Sequence, residues 1–497
     1  MNKKIIVKSF CAVLFIFGFQ QFSVAFPGDK NLTIKPYVFE NSKKEKVEAE
    51  LGRLKVPENR KKKNGKMIEL AFVRFKSTSK NPGFPIIYLA GGPGGSGIQS
   101  AKYGRFPLFM AMREFGDVIA LDQRGTGDSK PNLSCQNKID LPFDKPLTRE
   151  NLIKEESEKL KTCAAEFEKN GVDVSAYHTL ENASDLNDLR EALGVRKISL
   201  WGISYGTHLT LVTIRKYGQY IDKAILAGVE GVDDTYKLPK YTQDLMVDLD
   251  KRLKEDPELS KVIPDFLGLV KTVHQRLEKE PVVVELTDPK TEQKFNITLG
   301  KYDLQYLFSA FSGSNEAQAL YPKLYYDMSN GDFTFLAQQI ARYRKGNASS
   351  VMSIAMDCAS GLSQKRQVQI QTEMPNALFS NAINDPFPEI CNSVNYTKVD
   401  KSFYKPVKSD VPVLFISGTL DGRTPVSNAE IAAKGFLNIS HLIIDGAGHS
   451  DPLFLSSPKI LETMQNFMSG NKLAAKINIE MSKPFMFQPI STSMKNN

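Results

Sequence analysis

Lys197-Ile198-Ser199-Leu200-Trp201-Gly202-Ile203-Ser204-Tyr205-Gly206-Thr207 decides the fold. The first five residues read as a buried strand, and Thr207 to Tyr217 reads as a helix. Between them lies G-x-S-x-G, a turn tight enough to lift the Ser204 hydroxyl clear of the sheet. Its glycines let the strand and helix backbones approach closely. The pattern by itself is common in a chain of 497 residues. The strand before it and the helix after it give it meaning.

Working outward, Phe84 to Leu89 is an apolar run that ends in the loop Ala90-Gly91-Gly92-Pro93-Gly94-Gly95-Ser96-Gly97. Val118 to Leu121 ends in Asp122-Gln123-Arg124-Gly125, and Ala224 to Ala227 is a further strand. Ala183 to Leu193 is helical. Such alternation predicts an α/β fold, a mostly parallel sheet with helices on both faces. The alternation stops near Val232. Residues 233–404 read as helices and loops, clearest at Asp244 to Leu253 and Phe333 to Tyr343. Pro264, Pro281, Pro289 and Pro322 break this stretch, and Val282 to Leu286 with Phe295 to Leu299 predicts a small hairpin. The alternation resumes with strands at Val413 to Ile416 and His441 to Ile444, and helices at Asn428 to Gly435 and Pro458 to Met468. The expected organisation is a core over 26–232, a mainly helical inserted cap over 233–404, the second part of the core over 405–470, and a tail over 471–497. Phe485, Phe487 and Ile490 give part of that tail something to pack.

A serine hydroxyl is a weak nucleophile without a base, and the base needs a carboxylate to fix its tautomer. The chain has five histidines. His449, in Gly446-Ala447-Gly448-His449-Ser450, follows the last strand on a glycine-rich loop. His208 lies one helical turn beyond Ser204 and points away from its hydroxyl; His178, His274 and His441 fall in helical, linker or strand context. Asp421 follows a strand and precedes Gly422-Arg423-Thr424-Pro425, and an acid at a strand's C-terminal end lies where open α/β sheets bind ligands. Asp445 competes for the role but reads as a turn residue. The catalytic set is therefore Ser204, Asp421 and His449. An oxyanion formed by attack on a carbonyl needs backbone donors. The Tyr205 amide is one, and the glycine loop supplies the other from Gly92, with Gly91 as the alternative. That loop lacks the Lys-Ser/Thr ending of a phosphate cradle.

Lys3, Lys4 and Lys8 precede the apolar run Phe10 to Gly18, and Ser23-Val24-Ala25 offers small residues for cleavage. Residues 1–25 thus read as a signal peptide, too short to span a bilayer comfortably, and the mature protein is expected outside the cytoplasm, secreted or periplasmic, with no stable membrane insertion. Cys11 lacks the small residue that precedes a lipidated cysteine. Loss of the three lysines lowers the formal charge from +9 to +6. Arg60-Lys61-Lys62-Lys63, beside Asn64-Gly65, is the one dense basic run. It reads as a solvated hairpin turn and excludes a nucleic-acid surface, which needs more charge and interleaved aromatics. Cys135, Cys163, Cys358 and Cys391 remain. An even count in an exported chain predicts two disulfides. Three connectivities are possible, and pairing of sequence neighbours closes the shortest loops. No CxxC pair supports zinc, and neither a metal nor another cofactor is expected.

Gly91 to Gly97, Asp122-Gln123-Arg124-Gly125-Thr126-Gly127-Asp128-Ser129, Gly202 to Gly206, Gly418 to Pro425 and Gly446 to His449 together resemble the prolyl iminopeptidase and tripeptidyl aminopeptidase family of α/β-hydrolase serine peptidases. The resemblance covers roughly 60–232 and 405–470. Ala90 stands where the short prolyl iminopeptidases usually carry His; the signal peptide, long cap and paired cysteines look more like the secreted tripeptidyl aminopeptidase branch. The resemblance implies peptide substrates with free N-termini. An aminopeptidase must hold an ammonium with carboxylates shielded from water, and Glu230 and Asp357 are the candidates. A carboxylesterase or other α/β-hydrolase with the same Ser-Asp-His set is the alternative.

Overall fold

A computed structural model describes residues 30–490; the signal segment expected over 1–25 lies outside them. Ten strands form one sheet: β1 (Leu32–Glu40), β2 (Lys46–Pro57), β3 (Met67–Phe75), β4 (Ile86–Leu89), β5 (Val118–Asp122), β6 (Ile198–Ser204), β7 (Ile221–Val229), and, after an intervening hairpin of β8 (Val282–Thr287) and β9 (Lys294–Leu299), β10 (Val413–Gly418), β11 (Ile439–Asp445) and β12 (Lys476–Glu480). Their order is β1-β2-β3-β5-β4-β6-β7-β10-β11-β12. From β5 to β12 every neighbouring pair is parallel, whereas β1, β2 and β3 join antiparallel. The central strands are buried on both faces, which explains why they read as unbroken apolar runs. Side-chain alternation divides the core. Ile87, Leu89, Ile119, Leu121 and Leu200 face the helices Thr179–Ala192 and Tyr205–Tyr217; Tyr88, Ala120, Trp201 and Ile225 face the other side, against the helices Phe106–Met112 and Pro458–Met468.

β7 and β10 are hydrogen-bonded neighbours, so everything between them is an insertion into the sheet. Its first part, with β8 and β9, has its own apolar core of residues such as Leu249, Phe266, Leu304, Phe308 and Tyr325. Its second part does not stand apart: Val351, Met352, Ala355, Met356, Ile390 and Phe403 pack into the core beneath the sheet. Pro322 does not break the insertion. It lies inside the helix Asn315–Ser329, where burial of Tyr321, Leu324 and Tyr325 on either side outweighs one missing backbone bond.

The tail contributes more than packing. β12 extends the sheet beside β11, and beyond it Phe485, Phe487 and Ile490 lie against the insertion's own core rather than the core of the sheet. The basic run is also only partly a solvated turn. Lys61, Lys62 and Lys63 are exposed between the paired ends Pro57 and Met67, but Arg60 turns inward onto Glu181, Asp185 and Asp188. A guanidinium with three carboxylates in reach gains more from them than from water.

Cys135 bonds to Cys163 and Cys358 to Cys391, the pairing of sequence neighbours. The loops closed span separations of 28 and 33 residues. By loop-closure entropy each bond should stabilise the fold by about 3–4 kcal/mol. Cys358→Ser with Cys391→Ser should therefore show a lower thermal midpoint than the oxidised parent and a higher one than the reduced parent, which has lost both bonds. Equal midpoints in oxidised parent and variant would contradict this.

Candidate active site

Because β4, β6, β7, β10 and β11 run parallel, the loops that follow them all emerge at one edge of the sheet. Those strand ends and loops carry Gly91 and Gly92, Ser204, Glu230, Asp421 and His449 respectively. Topology alone therefore gathers residues more than 350 positions apart in sequence, such as Gly91 and His449. Ser204, His449, Gly91, Gly92, Glu230 and Asp357 line one cavity of about 560 Å³.

Ser204 sits between β6 and the helix Tyr205–Tyr217 with φ 54° and ψ −125°. A non-glycine residue in that region stores on the order of 1–3 kcal/mol of strain, which the surrounding packing must hold. The holding is tight. A Cβ on Gly206 would lie 2.1 Å from the Leu89 carbonyl oxygen, and one on Gly202 would lie 2.6 Å from the Gly206 carbonyl oxygen. Only glycine permits strand and helix to meet this closely.

His449 Nδ1 lies 2.7 Å from Asp421 Oδ2. Thr424 Oγ1 donates to the same oxygen at 2.7 Å and lies 3.1 Å from His449 Nδ1. Asp421 Oδ1 accepts the amides of Arg423 and Thr424 at 2.9 and 2.8 Å. Burial alone would raise the Asp421 pKa, but the His449 charge and hydrogen bond, with the donors from Thr424, outweigh it and hold the carboxyl below its usual range. Asp421 is thus an anion fixed on one edge by two amides and free to orient the imidazole with the other. Asp445 is occupied elsewhere, accepting from Arg252 at 2.6 Å and Thr419 at 2.9 Å. The remaining histidines also have other partners. His208 contacts the Gly231 carbonyl, His178 caps the helix Thr179–Ala192, His274 meets Tyr325 and His441 meets Ser417.

Tyr205 opens its helix, where the first amides have no acceptor within the helix and the dipole is positive. Across from it, Gly91 lies so near that a Cβ there would come within 2.9 Å of Ser204 Cβ, while Gly92 has a φ of 120°. Both glycines flank the space above Ser204. The Asp122–Ser129 run holds this loop from behind. Gln123 donates to the Ala90 carbonyl at 3.0 Å, and Asp122 accepts from Ser96 Oγ at 2.5 Å and the Ile98 amide at 3.1 Å. Arg124, fully buried, forks onto Asp185 with both bonds at 2.7 Å. The run is thus scaffolding for the glycine loop.

Glu230 follows β7 and pairs with Lys237 at 2.5 Å; Lys237 also donates to the Asp234 carbonyl at 2.8 Å. Asp357, on the helix Val351–Ser360, makes no side-chain hydrogen bond or ion pair among the described residues. Burial and the neighbouring Glu230 charge push its carboxyl well above the usual range, against the pull of Lys237 and Arg423. Sequence reading missed Lys237, whose approach to Glu230 depends on the turn after β7 rather than on any local pattern.

Among the described residues no helix is long and apolar enough to cross a membrane, and no group of His, Cys, Asp and Glu is placed to hold a metal.

Comparison with known proteins agrees with this architecture. The chain is similar to tripeptidyl aminopeptidase of Streptomyces lividans, 31% identical over 188 residues, 36% of this chain and 35% of that protein. It is similar to serine protease Hip1 of Mycobacterium tuberculosis, 31% identical over 183 residues, 36% of this chain and 35% of that protein. The match therefore spans about a third of either relative's length. A longer match, 25% identical over 403 residues and 77% of each chain, joins it to the putative hydrolase YuaR of Escherichia coli. A family model described as the alpha/beta hydrolase fold matches residues 85–454, and with the parallel sheet and the strand-turn-helix at Ser204 it shows that the chain belongs to the α/β-hydrolase family.

Proposed function

We propose that the protein is an exported serine aminopeptidase that removes residues or short peptides from free N-termini, of prolyl iminopeptidase or tripeptidyl aminopeptidase type. Ser204 Oγ attacks the scissile carbonyl carbon while His449 Nε2 takes its proton. Asp421 holds the imidazole with Nδ1–H directed at its own oxygen. The amides of Tyr205 and Gly92 receive the negative charge on the carbonyl oxygen. The C–N bond then breaks, the leaving amine takes the proton from His449, and water, deprotonated by the same imidazole, releases the acyl group from Ser204.

The observation that carries the peptidase reading is the unpaired Asp357 carboxyl beside Glu230 in the cavity that Ser204 lines. Lys237 offsets one of the two negative charges. The second is left for a cation brought by the substrate, and an α-ammonium is the cation every free peptide N-terminus carries. An ester pocket has no need of it. The two disulfides support export, since such bonds persist in oxidising compartments, and the names of the partial-length relatives agree with peptide cleavage.

The test is dye release from prolyl, alanyl and tripeptidyl amides, from their N-acetylated forms, and from a short acyl ester. Free-amine substrates should turn over and acetylated ones should not. Ester turnover without peptide turnover would replace this reading with a carboxylesterase. For the free-amine substrates kcat/KM should rise with pH as Asp357 ionises, because its pKa is displaced upward, and fall again near pH 8, roughly where the substrate amine loses its proton. Asp357→Asn should remove the rising limb due to this group and lower kcat/KM on peptides while sparing the ester.

A further inference from the structure

The loops bearing Asp421 and His449 extend past the ends of β10 and β11, where the sheet no longer supports them. One backbone bond joins the two loops there, Leu420 N–H to the Ala447 carbonyl at 2.9 Å. Thr419 Oγ1 accepts the Gly446 amide at 2.8 Å and Arg105 holds Ser450 and Asp451, but the bonds that reach both loops at once come from a short piece of the insertion, residues 312–318. On the histidine side, the His449 amide donates to the Gly313 carbonyl at 2.7 Å. Asn315 spans the same loop with both ends of its side-chain amide: Nδ2 donates to the Gly446 carbonyl at 2.8 Å, and Oδ1 accepts the Gly448 amide at 2.7 Å. On the acid side, the Gly422 amide donates to the Ser312 carbonyl at 3.2 Å. Gln318, fully buried, donates to the carbonyls of Ser312 and Leu420 at 2.7 and 2.8 Å. Leu420, the residue before Asp421, is itself buried in the insertion's own apolar core.

The fit leaves no slack. A Cβ on Gly313 would lie 2.6 Å from His449 Cβ, one on Gly448 would lie 2.6 Å from the Gly313 carbonyl oxygen, and one on Gly422 would lie 2.7 Å from the Ser312 carbonyl oxygen. Glycines on all three strips of chain let the backbones meet.

We infer that residues 312–318 of the insertion are a positioning template that sets Asp421 and His449 relative to one another, with Asn315 as the residue that fixes the histidine loop. The inference rests on the proposed roles of Ser204, Asp421 and His449. Its content is that the insertion governs the chemical step as well as access: a shift of this strip moves acid and base together and leaves Ser204, held by β6 and its helix, where it was. Asn315 touches no reacting atom; it acts through His449.

A small fluorophosphonate tests this, because its reaction with the serine needs His449 but no recognition of an ammonium. Labelling should occur in the parent and vanish in Ser204→Ala. In Asn315→Ala, which leaves the Gly446 carbonyl and Gly448 amide unpaired, the labelling rate should fall about 10²-fold, the scale expected when a catalytic group is misplaced by about 1 Å. For a free-amine peptide kcat should fall in step while KM stays near the parent's. Asn315→Asp keeps the acceptor for Gly448 and loses the donor to Gly446, and should label about tenfold slower than the parent; it decides the matter if the alanine variant does not fold. Labelling of either folded variant at the parent rate overturns the template and leaves the catalytic assignment standing. Labelling that survives Ser204→Ala overturns both.

Discussion

Ser204→Ala should lower kcat by on the order of 10⁶-fold, with His449→Ala costing about as much and the double variant little more than either. The expectation follows from the two side chains acting as one unit: without the hydroxyl there is nothing for the imidazole to deprotonate, and without the imidazole the hydroxyl keeps its proton. On the proposed mechanism the residual rate belongs to the amides of Tyr205 and Gly92 and to substrate binding, which both variants retain. Steady-state dye release from a free-amine peptide measures it, with thermal melting to show that the alanine variant is folded. Alanine keeps the Cβ and with it the strained φ of 54°, so Ser204→Ala should melt close to the parent. If the two single losses multiplied in the double variant, the residues would not be partners.

Asp421→Asn should cost about 10⁴-fold in kcat at neutral pH, with a near-normal melting temperature. The local bonding dictates which way the new amide faces. Oδ1 of Asp421 accepts two backbone N–H groups, from Arg423 and Thr424. An asparagine must keep its carbonyl oxygen there, so its NH₂ group falls at the Oδ2 position, 2.7 Å from His449 Nδ1. Two donors cannot face each other. The imidazole then carries its proton on Nε2, turns an N–H toward Ser204 and cannot accept the hydroxyl proton. Steady-state dye release at neutral pH, with thermal melting beside it, measures the effect. A variant with parental kcat would show that Asp421 does not orient the base.

The strands around Ser204 were legible because burial on both faces writes them as short apolar runs, and because the turn at Ser204 demands glycines at fixed offsets. The expected cysteine pairing, too, needed only loop lengths. What escaped was set by contacts between distant segments. Arg60 looked like one of four solvated cations; the carboxylates that draw it inward lie on a helix about 120 residues later. Pro322 reads as a break until the helix around it is seen buried on both sides. β12 is a five-residue stretch of alternating polar and apolar residues, none of them fully buried, too short to stand out until β11 pairs with it. Asn315 and Gly313 sit in a polar loop-to-helix passage that gives no periodic signal. Lys237 likewise acquires meaning only when the turn after β7 brings it to Glu230. Local pattern reports what a segment does with its own backbone; it is silent about the partner that an inserted stretch returns to.

The insertion also fixes an order of assembly. β7 must wait for β10, and 183 residues of other structure separate the end of one from the start of the other. Until β10 emerges, the Ser204 turn can exist but the proposed base and acid do not, and β7 presents an open edge along its buried apolar stretch, residues 224–229. A polypeptide released or cleaved anywhere in that interval would be inert as a hydrolase and prone to self-association, and closing so distant a pair is slow by its topology. Competence for the proposed reaction therefore arrives last, with the final fifth of the chain.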